Sequence, residues 1–277
     1  MLNNIKPLIV ILGPTASGKT SLSIELAQKF SGEIICADSR TVYKYLNIGT
    51  AKPTKKEQKI TPHYLLDIIK PDKRFSVAEF QKLAYQKIEK ILKRGKVPFL
   101  VGGTGLYIDA VCEGFIIPKP IENQKLRKKL LKSSLKQLLQ KLQKLDPVTF
   151  KKIDKKNKRR IIRALEVCLI TGQKFSQLRK KSKPDFQVLK IGLKIPREIL
   201  YQKIDKRINQ MVQAGLVYKE IGEYIRGKLS LKEAIEKAKQ KTRQFAKRQI
   251  TWFKRDKKIK WVRTEKEAER LIKKFLI

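Results

Sequence analysis

Eight residues near the start of the chain have the types and spacing of a phosphate-binding loop. They are Gly13, Pro14, Thr15, Ala16, Ser17, Gly18, Lys19 and Thr20, in the pattern G-x-x-x-x-G-K-[ST]. The glycines let backbone N–H groups turn inward at a helix N-terminus, where the helix dipole also favours an anion. Lys19 adds a mobile positive charge, and the Thr20 hydroxyl is suited to Mg²⁺. The loop therefore predicts that a di- or triphosphate binds with Mg²⁺, and it does not specify the reaction.

Three further residues could act on a molecule bound at this loop. Asp38 follows an apolar run and could hold Mg²⁺ or accept a proton as general base. Thr104 follows two glycines and could donate to a substrate oxygen or orient Asp38, but a threonine in that place also commonly caps a helix. Arg207 could clamp a leaving group, although the sequence alone favours a solvated arginine on a helix face.

Two basic segments could bind nucleic acid. Residues 155–163 contain no acid, and residues 243–248 interleave arginine, glutamine, phenylalanine and lysine on one predicted helix. Arginine and glutamine can contact phosphates and base edges, and an aromatic ring can stack on an unpaired base. A solvated helix face explains either segment equally well.

The elements that must position these residues alternate between strands and helices. Apolar runs at 8–12, 33–37 and 97–101 predict buried strands, and each is followed by a loop that carries candidate residues. Ligands in open α/β sheets bind at the carboxyl ends of the strands. This order therefore predicts an α/β fold with a phosphate loop and a doubly wound, mostly parallel sheet.

The sequence pattern changes between residues 118 and 184, where the alternation typical of strands does not occur. A lysine-rich helix is predicted over 122–145, broken at 146–147, and further helices over 157–171 and 173–181.

Strand alternation returns at 186–195, and helices follow at 196–215, 230–253 and 265–277, with a short strand at 260–262. We therefore expect a phosphate-loop catalytic core made of residues 1–117 and 185–277, and an all-helical insertion domain at 118–184.

Composition limits the class of protein. The chain has 277 residues, with 66 lysines and arginines against 25 acids, a formal charge of +41. Such a field attracts polyanions, although a general use of lysine at surface positions accounts for it equally well. No apolar run approaches the roughly 18–20 residues that span a bilayer. Three distant cysteines and no room for a secretory signal before the first strand predict a cytoplasmic protein, away from membranes. We expect a monomer.

Taken together, the motifs resemble those of the tRNA dimethylallyltransferases, which modify an adenine beside the anticodon. The matching blocks run in family order over most of the chain. They are GPTASGKT at 13–20, ADS at 37–39, IGTAKP at 48–53, PHYLLDI at 62–68, VGGTGLY at 101–107, RALEV at 163–167 and TRQFAKRQITWFKR at 242–255.

The resemblance implies a reaction that the residues alone do not name. Dimethylallyl diphosphate would place its diphosphate in the loop, and a flipped-out adenine at position 37 would approach it. Asp38, matching the family's general base, would take a proton from N6 as N6 attacks the prenyl C1, while Thr104 would help position the reacting groups. Pyrophosphate would leave onto the loop amides, Lys19, Arg207 and a Mg²⁺ held near Thr20.

The resemblance also implies which residues contact the tRNA anticodon stem-loop. They are Asp38, Ser39, Arg40, Thr41, Thr104, Arg127, Arg159, Arg160, Ile161, Ile162, Arg163, Arg243, Gln244, Phe245, Ala246, Lys247 and Arg248.

The sequence departs from the family pattern in two places. Thr41 stands near a position where the family usually has glutamine. Residues 214–217 run directly into 218–221, where the family usually inserts a helix and a loop. We expect activity to be retained, because every residue assigned to the chemistry is present.

Two alternatives remain open. A small-molecule kinase would use Asp38 to bind Mg²⁺ or activate an alcohol, but leaves the helical insertion without a purpose. A non-catalytic RNA-binding protein with a relict loop leaves Asp38, Thr104 and Arg207 unexplained.

Overall fold

The computed structural model describes residues 6–50, 52–116, 123–178, 182, 184–215 and 219–277, apart from the side chains of residues 219 and 220. The chain divides into two compact units. Unit 1 consists of Met1–Phe75, Phe80–Cys112 and Pro184–Ile277, and unit 2 consists of Ser76–Glu79 and Glu113–Lys183. The boundaries of the predicted domains, 1–117 with 185–277 and 118–184, are close to these.

Unit 1 contains a six-stranded parallel sheet. Its strands are β1 (Pro7–Leu12), β2 (Gly32–Cys36), β3 (His63–Tyr64), β4 (Val97–Gly102), β5 (Gln187–Leu193) and β6 (Lys260–Val262). Their order across the sheet is β3-β2-β4-β1-β5-β6, and every pairing is parallel. The predicted α/β class with a doubly wound sheet is confirmed.

The described residues also form helices in both units. In chain order they are α1 (Lys19–Lys29), α2 (Lys55–Ile60), α3 (Val77–Lys93), α4 (Gly105–Cys112), α5 (Gln124–Lys132), α6 (Leu135–Leu145), α7 (Pro147–Lys152), α8 (Lys158–Thr171), α9 (Phe175–Leu178), α10 (Arg197–Gln213), α11 (Lys219–Ile225), α12 (Leu231–Phe253) and α13 (Glu265–Leu276). Within the described ranges, none of these helices is long and apolar enough to cross a membrane.

The central strand β1 is the core of unit 1. Every side chain from Leu8 to Leu12 is buried. A strand that has neighbours on both sides and helices on both faces needs apolar groups on each face, so it reads as a continuous apolar run. On one face, Ile9 and Ile11 pack in a cluster with Leu26 of α1 and Ile272 of α13.

The predicted helix over 122–145 is wrong as a single element. It is two helices, because α5 ends at Lys132 and α6 starts afresh behind Ser134. The Ser134 hydroxyl accepts a hydrogen bond from the Gln137 N–H, and the Gln137 side chain accepts one from the Ser134 N–H. This capping box satisfies the first amides of α6 and favours a new start over a continuous helix.

Other predicted elements differ at their edges. The helix over 173–181 is described only as the short α9, and residues 179–181 lie outside the described part of the chain. Three helices were not predicted, α2, α7 and α11, which are seven residues or fewer in length. The place where the family insertion is missing, at 216–218, also lies outside the described residues.

Asp146 organises the packing of unit 2. Its side chain is fully buried and accepts four hydrogen bonds, from the N–H and hydroxyl of Thr149 and from the N–H and hydroxyl of Ser176, at 2.7 to 3.0 Å. It thus caps α7 and ties the segment around α9 to the same point. Burial alone would raise the pKa of Asp146, but the hydrogen bonds outweigh it and hold the pKa below its ordinary 3.8.

We predict that Asp146→Ala lowers the free energy of unfolding by about 2–4 kcal/mol, because it leaves several buried donors without an acceptor. The folded-state pKa lies below the unfolded one, so the stabilisation is complete above about pH 4 and is lost as the pH falls through the folded pKa. Urea unfolding of the full chain at pH 7 and at pH 3 measures both effects.

Asp154→Ala is the matched control. Asp154 is exposed and accepts one local hydrogen bond, from the N–H of Lys156. Its loss should change stability by no more than about 0.5 kcal/mol. Equal effects of the two substitutions at pH 7 would contradict the role given to Asp146.

Candidate active site

A cavity of about 940 Å³ opens in unit 1 at the carboxyl ends of the strands. It gathers residues from the phosphate loop, the ends of β2 and β4, and helices α10 and α12. The predicted site residues on its wall are Thr15, Ala16, Lys19, Thr20, Asp38, Arg40, Thr41, Arg207, Phe245 and Arg248. The structure therefore brings together groups that lie more than two hundred positions apart in the sequence.

The loop after β1 presents its backbone toward this cavity. Gly18 adopts a left-handed conformation, with φ of 86°, and supplies no side chain to cap α1. The amides of the first helical turn consequently remain available for an anion. The buried Ser17 hydroxyl has no hydrogen-bond partner among the described residues, so the loop holds an orphaned polar atom that a bound oxyanion would satisfy.

Lys19 is electrostatically linked to two other candidate residues. Its ammonium donates a hydrogen bond to the Pro14 carbonyl at 2.7 Å. Burial, assisted by the charge of Arg207, lowers the pKa of Lys19 to about 8, while the charge of Asp38 opposes that shift. The three charges thus influence one another within one site.

Asp38 is fixed by its own loop. Its Oδ1 accepts a hydrogen bond from the Arg40 N–H at 2.8 Å, which is an Asx turn, and Oδ2 has no hydrogen-bond partner within the described part of the chain. Gly102 allows the end of β4 to approach closely, because a Cβ there would lie 2.0 Å from the Ala37 carbonyl oxygen. One carboxylate oxygen is therefore held in place while the other is left for chemistry.

Thr104 fastens the two loops around Asp38. Its hydroxyl accepts a hydrogen bond from the Ser39 N–H at 3.0 Å, and its own N–H donates to the Ala37 carbonyl at 3.2 Å. Residues on both sides of Asp38 are thereby tied to the start of α4. Thr104 orients the backbone that carries Asp38.

Part of the cavity lining is apolar. Tyr45, Leu46 and Ile48 belong to this part and are unusually exposed, at 74%, 43% and 40%. Lys52 holds the base of this loop by donating to the Tyr43 carbonyl and to the side chains of Asn47 and Asp67. Sequence reasoning assigned no role to these residues. An exposed apolar run inside a turn-rich segment was the signal for them.

Arg243, a predicted RNA contact, is used inside unit 1. Its guanidinium donates to both carboxylate oxygens of Asp205, with Nε 3.0 Å from Oδ1, and lies over the Tyr201 ring. This bidentate pair joins α12 to α10, the helix that carries Arg207. About a third of the Arg243 side chain remains exposed.

Three predicted RNA contacts on α8 and α12 have buried side chains. The side chains of Ile161 and Ile162 are buried in the core of unit 2, and that of Ala246 is buried in unit 1. Because these side chains face the protein interior, they anchor α8 and α12, and a contact of these three residues with RNA would use their backbone atoms. Their neighbours Arg159 and Arg160 on α8 are exposed.

The other predicted contacts on α12 and in unit 2 are exposed or half-buried. Gln244, Phe245, Lys247 and Arg248 are exposed on α12, and the Arg248 guanidinium lies 5.9 Å from the centre of the Phe245 ring. In unit 2, half-exposed Arg127 forms an ion pair at 3.4 Å with buried Glu166 of α8, and Arg163 is half-buried.

The donor set fits Mg²⁺ bound mainly through a phosphate ligand. No cluster of three or more metal-binding side chains exists among the residues that the structure describes. Thr20 and Asp38 nevertheless line the same cavity. Mg²⁺ commonly takes one or two protein oxygens and completes its shell with phosphates and water.

Gln249 is a further site residue that sequence reasoning missed. It is buried on α12, and its side chain hydrogen-bonds both the phosphate loop and the loop after β4. Ala246, Gln249 and Phe253 share the buried face of α12 at helical spacing. A polar residue in an otherwise apolar stripe was the available signal.

Comparison with known proteins gives a consistent family. The family model described as IPP transferase matches residues 41–218 and 216–256. The two segments meet at the place where the chain is expected to be shortened.

The chain is 42% identical to the tRNA dimethylallyltransferase of Pelotomaculum thermopropionicum, over 96% of this chain and 94% of that one. It is 46% identical to the tRNA dimethylallyltransferase of Halothermothrix orenii, over 92% and 86% of the two chains. The crystal structure of the full-length tRNA isopentenylpyrophosphate transferase of Bacillus halodurans superposes with a TM-score of 0.73 at 37% identity, covering 98% of this chain and 97% of its own.

The lowered pKa of Lys19 predicts a pH-dependent affinity for inorganic pyrophosphate. Below about pH 8 the ammonium is charged and attracts the anion, and above it the free amine predominates. We expect the dissociation constant, measured by titration calorimetry, to rise by up to about tenfold per pH unit above that pKa.

Lys19→Arg is the control, because a guanidinium stays protonated over this range. The ionisation of pyrophosphate itself is common to both proteins, so the ratio of their dissociation constants isolates Lys19. Parallel pH curves for the two proteins would contradict the prediction.

Proposed function

The chain belongs to the IPP transferase family, and we propose that it transfers a dimethylallyl group from dimethylallyl diphosphate to N6 of adenine 37 of tRNA, releasing pyrophosphate. It is a prenyltransferase that acts on tRNA. One observation carries the finer proposal. A single cavity has the phosphate loop and Arg207 beside Asp38, an apolar wall, and the aromatic and basic face of α12.

The donor would lie with its diphosphate on the loop and its prenyl tail on the apolar wall of Tyr45, Leu46 and Ile48. As the C1–O bond breaks, negative charge grows on the leaving pyrophosphate. Lys19 and Arg207 line the same cavity, and together with the amides of α1 they would stabilise that charge. Mg²⁺ held near Thr20 would neutralise part of the diphosphate charge.

Asp38 would act as the general base. The N6 nitrogen attacks C1 of the donor, and the proton that N6 loses passes to the unpartnered Oδ2 of Asp38. Thr104 keeps the backbone on either side of Asp38 in place through Ser39 and Ala37. The same hydrogen-bond network would hold the base within reach of the adenine.

The tRNA would present adenine 37 from the anticodon loop, where a base costs less to flip out than in a duplex. Phe245 can stack on an unpaired base, and Arg248 adds a positive charge next to it. In unit 2, the exposed Arg159 and Arg160 would contact backbone phosphates of the anticodon stem-loop. We further propose that the protein acts as a monomer.

We predict that the protein transfers label from radiolabelled dimethylallyl diphosphate to unmodified tRNA in the presence of Mg²⁺. Asp38→Asn should lower kcat by about 100-fold or more, because the base is lost, while the Kd for tRNA changes less than about twofold. A filter assay of labelled tRNA and a gel-shift titration give the two values.

Asp72→Asn, which changes an exposed carboxylate, is the control and should keep full activity. A parallel reaction with labelled ATP tests for a kinase. Phosphate transfer to a small acceptor without prenylation would contradict the proposal. Binding of tRNA without either reaction would favour a relict site, and full turnover by Asp38→Asn would remove Asp38 as the base.

A second prediction concerns the arginines of α8. Replacing Arg159 and Arg160 by alanine should weaken tRNA binding and make the salt dependence of log K shallower by about one to two, because fewer counterions are released. Replacing the exposed Lys266 and Arg270 of α13 removes the same charge and is the control. Equal losses in both double variants would mean that only net charge matters.

A further inference from the structure

Gln249 connects the two loops that form the reactive end of the cavity. Its Oε1 accepts a hydrogen bond from the Thr15 N–H of the phosphate loop at 2.9 Å. Its Nε2 donates to the Gly103 carbonyl, directly before Thr104, at 2.8 Å. One side chain from α12 therefore bridges the loop that follows β1 and the loop that follows β4.

The bridge requires a side-chain amide of this length. The Thr15 N–H can only donate and the Gly103 carbonyl can only accept, so the partner must offer one acceptor and one donor. Gln249 is only 6% exposed, and its bonds replace water at both backbone groups. A glutamate would satisfy Thr15 and repel the carbonyl of Gly103, and an aliphatic side chain would leave both groups unpaired.

The surrounding packing leaves Gln249 little freedom. A Cβ on Gly103 would lie 2.3 Å from Nε2 of Gln249, so the loop and the helix are in direct contact there. Farther along α12, Trp252 packs against Gly105 and donates a hydrogen bond from Nε1 to Asp109 at 2.8 Å. The helix is thus seated on the start of α4 at two successive points, and only one of them reaches the phosphate loop.

The same helix forms the RNA-facing side of the cavity. Phe245 lies one turn before Gln249, and Arg248 immediately precedes it; both line the cavity. The groups proposed to hold the adenine and the clamp on the two loops therefore belong to one rigid element.

We propose that Gln249 is a positioning residue that sets the spacing between the phosphate loop and the Gly103–Thr104 loop. This inference rests on the proposed prenyl transfer. The leaving group is held by the first loop, and the base Asp38 is oriented through the second. Gln249 fixes both to the helix that carries the adenine contacts, so it controls alignment for in-line attack and not the strength of binding.

The substitution Gln249→Met tests this role, because methionine keeps the length of the side chain and removes both hydrogen bonds. Misalignment of reacting groups by about an ångström can cost about 100-fold in rate. We expect kcat for tRNA prenylation to fall by about 10- to 100-fold. The Kd for tRNA and for inorganic pyrophosphate should stay within about threefold, because the substitution leaves the amides of the first turn of α1, Lys19 and the RNA-facing side chains in place.

Trp252→Phe is the matched control on the same helix. It removes the hydrogen bond from the Trp252 indole of α12 to Asp109 of α4 and leaves the phosphate loop unchanged. We expect a similar loss of thermal stability but a kcat within about threefold of the original. An equal fall of kcat in both variants would overturn the proposal and make Gln249 an ordinary tether. A selective rise in either Kd with unchanged kcat would overturn it as well.

If Gln249→Met does not fold, Gln249→Glu carries the test, because it keeps the bond to Thr15 and breaks only the bond to Gly103. Its kcat should also fall by at least about tenfold at unchanged Kd for tRNA, and a normal kcat would refute the clamp. Failure of the proposed function would give a different result from failure of the clamp. In that case the unsubstituted protein leaves tRNA unlabelled, which overturns both proposals together.

Discussion

The parallel pairing of β1 with β4 on one side and with β5 on the other is the constraint on which the site depends. Parallel strands all end at the same edge of a sheet, so the phosphate loop, Asp38 and Thr104 meet there although they lie far apart in sequence. β1 needs apolar side chains on both faces to occupy the centre of the sheet. The core and the site are therefore consequences of one arrangement.

Charge and desolvation then determine which ligand this edge of the sheet can bind. Burial lowers the pKa of Lys19. The charge of Arg207 lowers it further, and the charge of Asp38 raises it. A site with surplus positive charge attracts a diphosphate, and the bound anion neutralises that charge. The hydrogen bonds of Thr104 and Gln249 are neutral. They supply geometry, while the charged groups supply affinity.

Much of this could be predicted from the sequence where the signal is local. Short contiguous patterns predict the strands β1, β2 and β4, the bounds of α12 and the family itself. Features that depend on distant partners could not be predicted. Thr15 and Gln249 are separated by 234 positions, and no spacing rule links them. The inward turn of Ile161 and Ile162 in a basic segment follows from packing against α6, which a charge count does not register.

The late position of β5 in the chain has a consequence for synthesis on the ribosome. Until Gln187–Leu193 has emerged, β1 has an unpaired edge of backbone donors and acceptors, in the middle of an apolar run. Residues 113–183 leave the exit tunnel before that partner does, and their own core can form first. During synthesis the chain therefore passes through a stage in which β1 can pair with β4 on one edge, while its other edge stays unpaired until β5 emerges. Chaperone contact during that interval would matter more for this fold than for one built from consecutive hairpins.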